Sequence, residues 1–223
     1  MRLRLLILPL LSLTFAGQAM AEPFVDVFGG WSKARATNSS ASRQTCFILG
    51  CTGTAGTTQH QSFSSGAAAG MRGGYWFKTH PWFGLAGDFT YYRTASTQVS
   101  LDSFALAATP MLRLPLWTTP DLPQGRLQPY VGAGPTLVMH SVKANFRPTA
   151  PVEVSGWSMG VGWTVRAGLA VSLTEHVAIF GEWRLSQDRV ALRDTGFLGA
   201  GDQERLDMTQ TVQQYLFGLS YRF

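Results

Sequence analysis

Charge is scarce in this chain. Only 14% of its 223 residues are Asp, Glu, Lys or Arg, against about a quarter in a typical soluble domain. With 45% hydrophobic and 12% aromatic residues, the scarcity does not mark a disordered chain. It marks a surface that something other than water must cover. Two cysteines are too few for a disulfide scaffold. No basic arm is present, so a nucleic-acid partner is excluded. After residue 21 no apolar run reaches the 18 or so residues of a membrane-spanning helix.

The one long apolar run lies at the start. Arg2 and Arg4 precede the apolar stretch 5–15, and Ala19-Met20-Ala21 is a small-x-small site. That pattern predicts a secretory signal peptide over residues 1–21, cleaved after Ala21. Losing Arg2 and Arg4 takes the 18 basic residues to 16 against 13 acidic ones, so the net charge falls from +5 to +3.

What fills the rest of the chain is alternation. From Trp157 to Leu173 every odd position is apolar, while the even ones are small or polar with a single charge, Arg166. An ordinary strand of a soluble sandwich runs about five or six residues; seventeen fit a tilted membrane crossing with an extension beyond it. Eight such segments are predicted: 24–33, 66–77, 82–93, 99–114, 127–140, 157–173, 177–188 and 211–223. In the fifth, an outward Val131, Ala133, Leu137 and Met139 force Tyr130 inward.

The connections alternate between short (78–81, 115–126, 174–176) and, except for a brief turn at 94–98, long (35–63, 143–156, 193–210). Short turns on one side and long loops on the other, with an even strand count, define an up-and-down membrane barrel. The expected fold is therefore all-β: an eight-stranded antiparallel transmembrane β-barrel, with outside loops near 36–63, 143–156 and 193–210.

The non-greasy faces carry Asp26, Arg72, Asp88, Arg113, Arg166, Glu182, Arg184, Asp188 and Arg222. Only a shared, nearly neutral interior keeps such charges off lipid, and an eight-stranded barrel is just wide enough for side chains to fill it. The nine residues are read as a lumen cluster, a static salt-bridge core before a gated pore. Inward Gly84, Gly132, Gly134, Gly160, Gly162, Gly168 and Gly218 suit a tight, curved sheet. Tyr75, Trp82 and Phe83 at one rim, and Trp31, Tyr91 and Trp157 toward the other, read as aromatic girdles. Cys46 and Cys51, in an exported protein, predict a disulfide that pinches the longest loop.

Three stretches then carry a resemblance. The ending from Tyr215 to Phe223 is similar to the C-terminal signature of Gram-negative outer-membrane barrels, with Tyr215, Phe217, Leu219, Tyr221 and Phe223 alternating toward lipid. Gln128-Pro-Tyr-Val-Gly-Ala-Gly134, and Gly74-Tyr-Trp-Phe with Trp82-Phe-Gly-Leu-Ala-Gly-Asp88, resemble strands of the small outer-membrane β-barrel domain family, which includes opacity-type and OmpA/OmpW-like barrels. The resemblance implies location in the cell outer membrane. It also implies recognition of the C-terminal residues by the barrel insertion machinery.

The expected partners are outer-membrane lipid and lipopolysaccharide, and host or matrix ligands at the loops; Arg43, Lys143 and Arg147 are read first as solvated loop charge and second as contacts for lipopolysaccharide phosphates. No cofactor and no metal are expected, and the chain is expected to be monomeric. Two other functions compete with that of a structural, surface-displaying barrel. A narrow channel for small or hydrophobic solutes needs the lumen charges to part or the wall to open. A lipid A-modifying hydrolase needs a Ser beside a His base; no His-x-Ser occurs on a late strand, and His140 and Ser141 are adjacent and so face opposite ways. His176 and His80 lie in turns. The reading is therefore not an enzyme.

Overall fold

The computed structural model describes residues 21–35, 37–47, 50–54, 58–61, 64–95, 99–146, 152–195 and 201–223; for 37–47, 50–54, 58–61, 95, 99–101, 142–146, 152–156, 190–195 and 201–208 among them it gives the backbone course alone. Among the described residues there are eleven strands: β1 (Ala21–Ala34), β2 (Thr37–Phe47), β3 (Gly50–Thr54), β4 (Thr58–Gln61), β5 (Gly66–Phe77), β6 (Phe83–Ala95), β7 (Val99–Arg113), β8 (Leu127–Phe146), β9 (Val152–Ser172), β10 (Val177–Thr195) and β11 (Gly201–Arg222). Eight of them, β1 and β5 to β11, pair antiparallel with their sequence neighbours around a ring. β11 closes it on β1 through the register Phe24↔Arg222 to Ala34↔Val212. Closure leaves no free edge at membrane depth, which lipid requires because no water is there to pair orphaned backbone groups.

Burial follows the alternation in the sequence. On β5 the odd residues from Ala67 to Tyr75 are exposed, while Ala68, Arg72 and Trp76 are buried. On β8 Val131, Ala133, Leu137 and Met139 face out and Tyr130 faces in. Because the interior is narrow, inward glycines make room for inward rings. A Cβ on Gly84 would stand 2.6 Å from the Trp76 ring, and one on Gly168 would overlap Tyr130.

One end carries the two chain ends of the barrel and the short connections. Tight turns join β5 to β6 and β9 to β10, with Phe83 N–H bonded to His80 O and Leu173 N–H to Val177 O. At the other end the strands run on as hairpins. Here the expected loops need correcting: 143–156 lies largely in a β8–β9 hairpin that pairs as far as Phe146↔Val152. Likewise 193–210 lies largely in a β10–β11 hairpin paired to Thr195↔Gln203. Within 36–63 lie β2, β3 and β4, and β2 lies along β11 from Ser39↔Met208 to Cys46↔Gly201. Beyond the apolar belt no lipid constrains composition, so polar strands there lose the greasy alternation while still completing the ladder's hydrogen bonds.

The aromatic clusters sit at both rims on the outer face. Phe77 stacks on Phe83 at the short-turn end, with Trp82 beside it. Toward the hairpin end Trp31 stacks on Tyr215, and Phe104 on Trp157.

Candidate functional site in the barrel interior

All nine charged residues of the cluster project into the lumen and are buried: Asp26, Arg72, Asp88, Arg113, Arg166, Glu182, Arg184, Asp188 and Arg222. Six of them form one alternating chain across the barrel. Arg72 donates from Nε to Asp26 (2.7 Å) and from Nη1 to Glu182 (2.6 Å). Glu182 also accepts from Arg184 Nη2 at 2.8 Å and from the Tyr130 hydroxyl at 2.9 Å. Arg184 Nη1 reaches Asp88 at 2.9 Å, and the other oxygen of Asp88 takes Arg166 Nη2 at 2.6 Å. The register explains why Asp88 is needed: Arg166 and Arg184 are directly opposed across β9 and β10. Such a like-charge pair repels, and Asp88 bridges both.

Aromatic faces complete the middle tier. The Arg72 guanidinium lies 5.1 Å from the Phe180 ring centre and 5.7 Å from that of Tyr130, and Arg184 lies 5.2 Å from Phe28. These inward rings sit at the even positions of their strands, beside the charges, so the alternation already placed them. Attention to girdles alone passes them by.

A second tier sits at the short-turn end. Arg113 Nη2 donates to Glu22 at 2.7 Å and Arg113 Nε to the Pro81 carbonyl at 2.7 Å, while Arg222 Nη2 donates to Gln128 at 2.7 Å. Glu22 was not among the expected residues. It precedes the first recognisable alternating stretch, and its role appears only once β1 extends back to Ala21. With it, the five lumen arginines face five carboxylates.

The third tier, toward the hairpins, is one that adjacency in sequence does not reveal. Ser103 Oγ lies 2.9 Å from His140 Nδ1, and His140 Nε2 lies 2.8 Å from Asp188. The three come from β7, β8 and β10, and Ser141 takes no part. With the Nε2 proton turned to the carboxylate, Nδ1 accepts from the serine. Ser103 and His140 are 0% exposed, which leaves an acyl substrate no room at Oγ. The trio braces three strands.

Packing around these tiers leaves cavities of about 30 Å³ beside Asp26 and Arg222 and about 10 Å³ beside Asp88 and Tyr92. Each is on the scale of one or two waters. No group of three or more His, Cys, Asp or Glu residues among those described forms a metal site. The Cys46 and Cys51 side chains lie outside the described residues; their backbones are directly opposed across β2 and β3. Tyr215, Phe217, Leu219, Tyr221 and Phe223 are all exposed on the outer face.

The family model described as outer membrane protein beta-barrel domain matches residues 6–223. No curated protein matches the chain in sequence. Among solved structures, the outer membrane protein OprG from Pseudomonas aeruginosa is 14% identical, with 92% of this chain and 97% of that one covered at a TM-score of 0.52. Neisserial surface protein A is 14% identical over 87% and 97%, at 0.44. Ail, the attachment invasion locus protein of Yersinia pestis, is 12% identical over 91% and 99%, at 0.41. At these identities the likeness is one of fold.

Proposed function

Because the chain belongs to the outer membrane protein beta-barrel domain family and so resides in the Gram-negative outer membrane, we propose that it works as a sealed, rigid barrel that displays its hairpins at the cell surface. The observation that carries this reading is the unbroken chain Asp26–Arg72–Glu182–Arg184–Asp88–Arg166 across the lumen. Separating any of these buried pairs leaves an uncompensated charge, which costs several kcal/mol. A core held this way supports envelope integrity and anchors contacts with host or matrix ligands at the hairpin end. Arg43, Lys143 and Arg147, whose side chains lie outside the described residues, are the proposed contacts for lipopolysaccharide phosphates.

In the same proposal residues 1–21 are a signal peptide, and cleavage after Ala21 leaves Glu22 at the start of the mature chain, beside Arg113. Phe223 and the alternating residues before it are read by the insertion machinery, and the barrel functions as a monomer. Single-channel recording in planar bilayers is the test. A sealed barrel gives no stable conductance, and sustained openings of the wild-type protein would instead support a narrow channel.

A further inference from the structure

The wall between β7 and β8 is incomplete for a covalent reason. Leu116 and Leu127 exchange both backbone hydrogen bonds, and Leu114 N–H donates to Pro129 O. This fixes the parity of the ladder: even residues of β7 face odd residues of β8 as hydrogen-bonded pairs. Two such pairs in mid-wall are Pro110 with Ala133 and Ala108 with Pro135. Proline has no N–H, so neither Ala133 O nor Ala108 O receives the bond its position calls for. The pairing accordingly lapses between Ala107↔Thr136 and Met111↔Gly132, with the register unchanged on either side. Pro129 repeats the deletion near the short-turn end.

Outside this gap lies a lipid-facing hollow of about 340 Å³, walled by Leu106, Ala108, Pro135, Leu137 and Val161. Ala107 and Thr136, on the inward face, lie at its floor and also line the separate 10 Å³ cavity on the lumen side. Thr136 is 4% exposed, and its hydroxyl has no hydrogen-bond partner among the described residues. The hollow therefore joins an apolar groove to the carbonyl of Ala108, left without its ladder partner, at a depth where no water meets it.

We propose that this seam binds a membrane lipid through an acyl chain that carries a hydroxyl group. The hydrocarbon lies in the hollow, and the hydroxyl donates to the carbonyl of Ala108. The site lies within the apolar belt, between the Phe104–Trp157 stack and the Phe77–Phe83 stack, so a lipid tail is the occupant that reaches it. The inference goes beyond surface display and does not depend on the lumen being sealed.

The test uses full-length barrel in phosphatidylcholine nanodiscs, with ¹³C-labelled alanine carbonyls, titrated with 3-hydroxytetradecanoic or tetradecanoic acid. The hydroxylated acid is expected to bind about fivefold tighter, the worth of one hydrogen bond, and to shift the Ala108 carbonyl signal. Ala108→Leu narrows the hollow beside the Ala108 carbonyl and is expected to weaken binding of both acids. The double variant Pro110→Val with Pro135→Val restores the N–H donors and is expected to erase the hydroxyl preference while plain-chain binding persists. A heat-dependent gel shift confirms that each variant is folded. Equal binding of the two acids, binding of neither, or a preference that survives the double variant overturns the proposal.

Discussion

Glu182 holds two guanidiniums and a phenol, and it is the residue on which the middle tier turns. Glu182→Ala leaves Arg72 without one of its two carboxylates and Arg184 with Asp88 alone. The expected cost is roughly 3–5 kcal/mol, read from urea unfolding of the barrel in lipid vesicles. The contrast is Arg93, whose side chain is 57% exposed and lies 3.6 Å from Asp102. Arg93→Ala is expected to move the same curve by less than about 1 kcal/mol. Similar losses in both variants would mean that the buried chain carries no special share of stability. Ser103 allows a different check. As a brace, it is expected to resist a fluorophosphonate probe in the folded barrel. Labelling of Ser103 that disappears in His140→Gln would show instead an activated, accessible nucleophile.

At the scale of elements, the sequence and the fold agree where lipid dictates composition. The stretch from Trp157 to Leu173 shows its outward face because hydrocarbon accepts only apolar side chains there, and β9 ends at Ser172, within one residue of the expected boundary. Agreement fails where that constraint ends. Polar stretches such as 37–47 and 201–208 form β2 and the start of β11, with no periodic signal to distinguish strand from loop. The third tier was illegible for another reason: Ser103, His140 and Asp188 are far apart in the chain, and only the register of four neighbouring strands brings them together. The hairpin extension also bears on the cysteines. Since Cys46 and Cys51 are opposed across β2 and β3, we expect a cross-strand disulfide. Intact mass under non-reducing conditions should then be two hydrogens lower than after reduction, with no thiol open to alkylation. Two alkylated thiols in unreduced protein would remove the bridge.

Closure and charge balance are properties of the whole molecule, and they make a joint prediction. The ring of eight strands keeps the lumen apart from lipid, and the five arginines within it are matched by five carboxylates, so the interior is neutral and filled. Asp88→Ala disturbs both features at once. It removes the bridge between the directly opposed Arg166 and Arg184, leaves a net positive charge at mid-membrane, and vacates a carboxyl's volume beside a 10 Å³ cavity. Repulsion between the two guanidiniums then favours their separation toward opposite walls. The wild-type barrel is expected to remain silent in a planar bilayer. Asp88→Ala is expected to open briefly and to prefer anions, because the unmatched positive charge draws them into a narrow, low-dielectric path. Reversal potential under a salt gradient reads the preference directly, and a retained difference in gel mobility between boiled and unboiled samples confirms that the variant barrel is closed. A folded variant that stays silent would place the seal in the aromatic packing around Phe28, Tyr130 and Phe180, with the ion pairs secondary. Cation-selective openings would show that Glu182 and Asp26, and not the freed arginines, face the path.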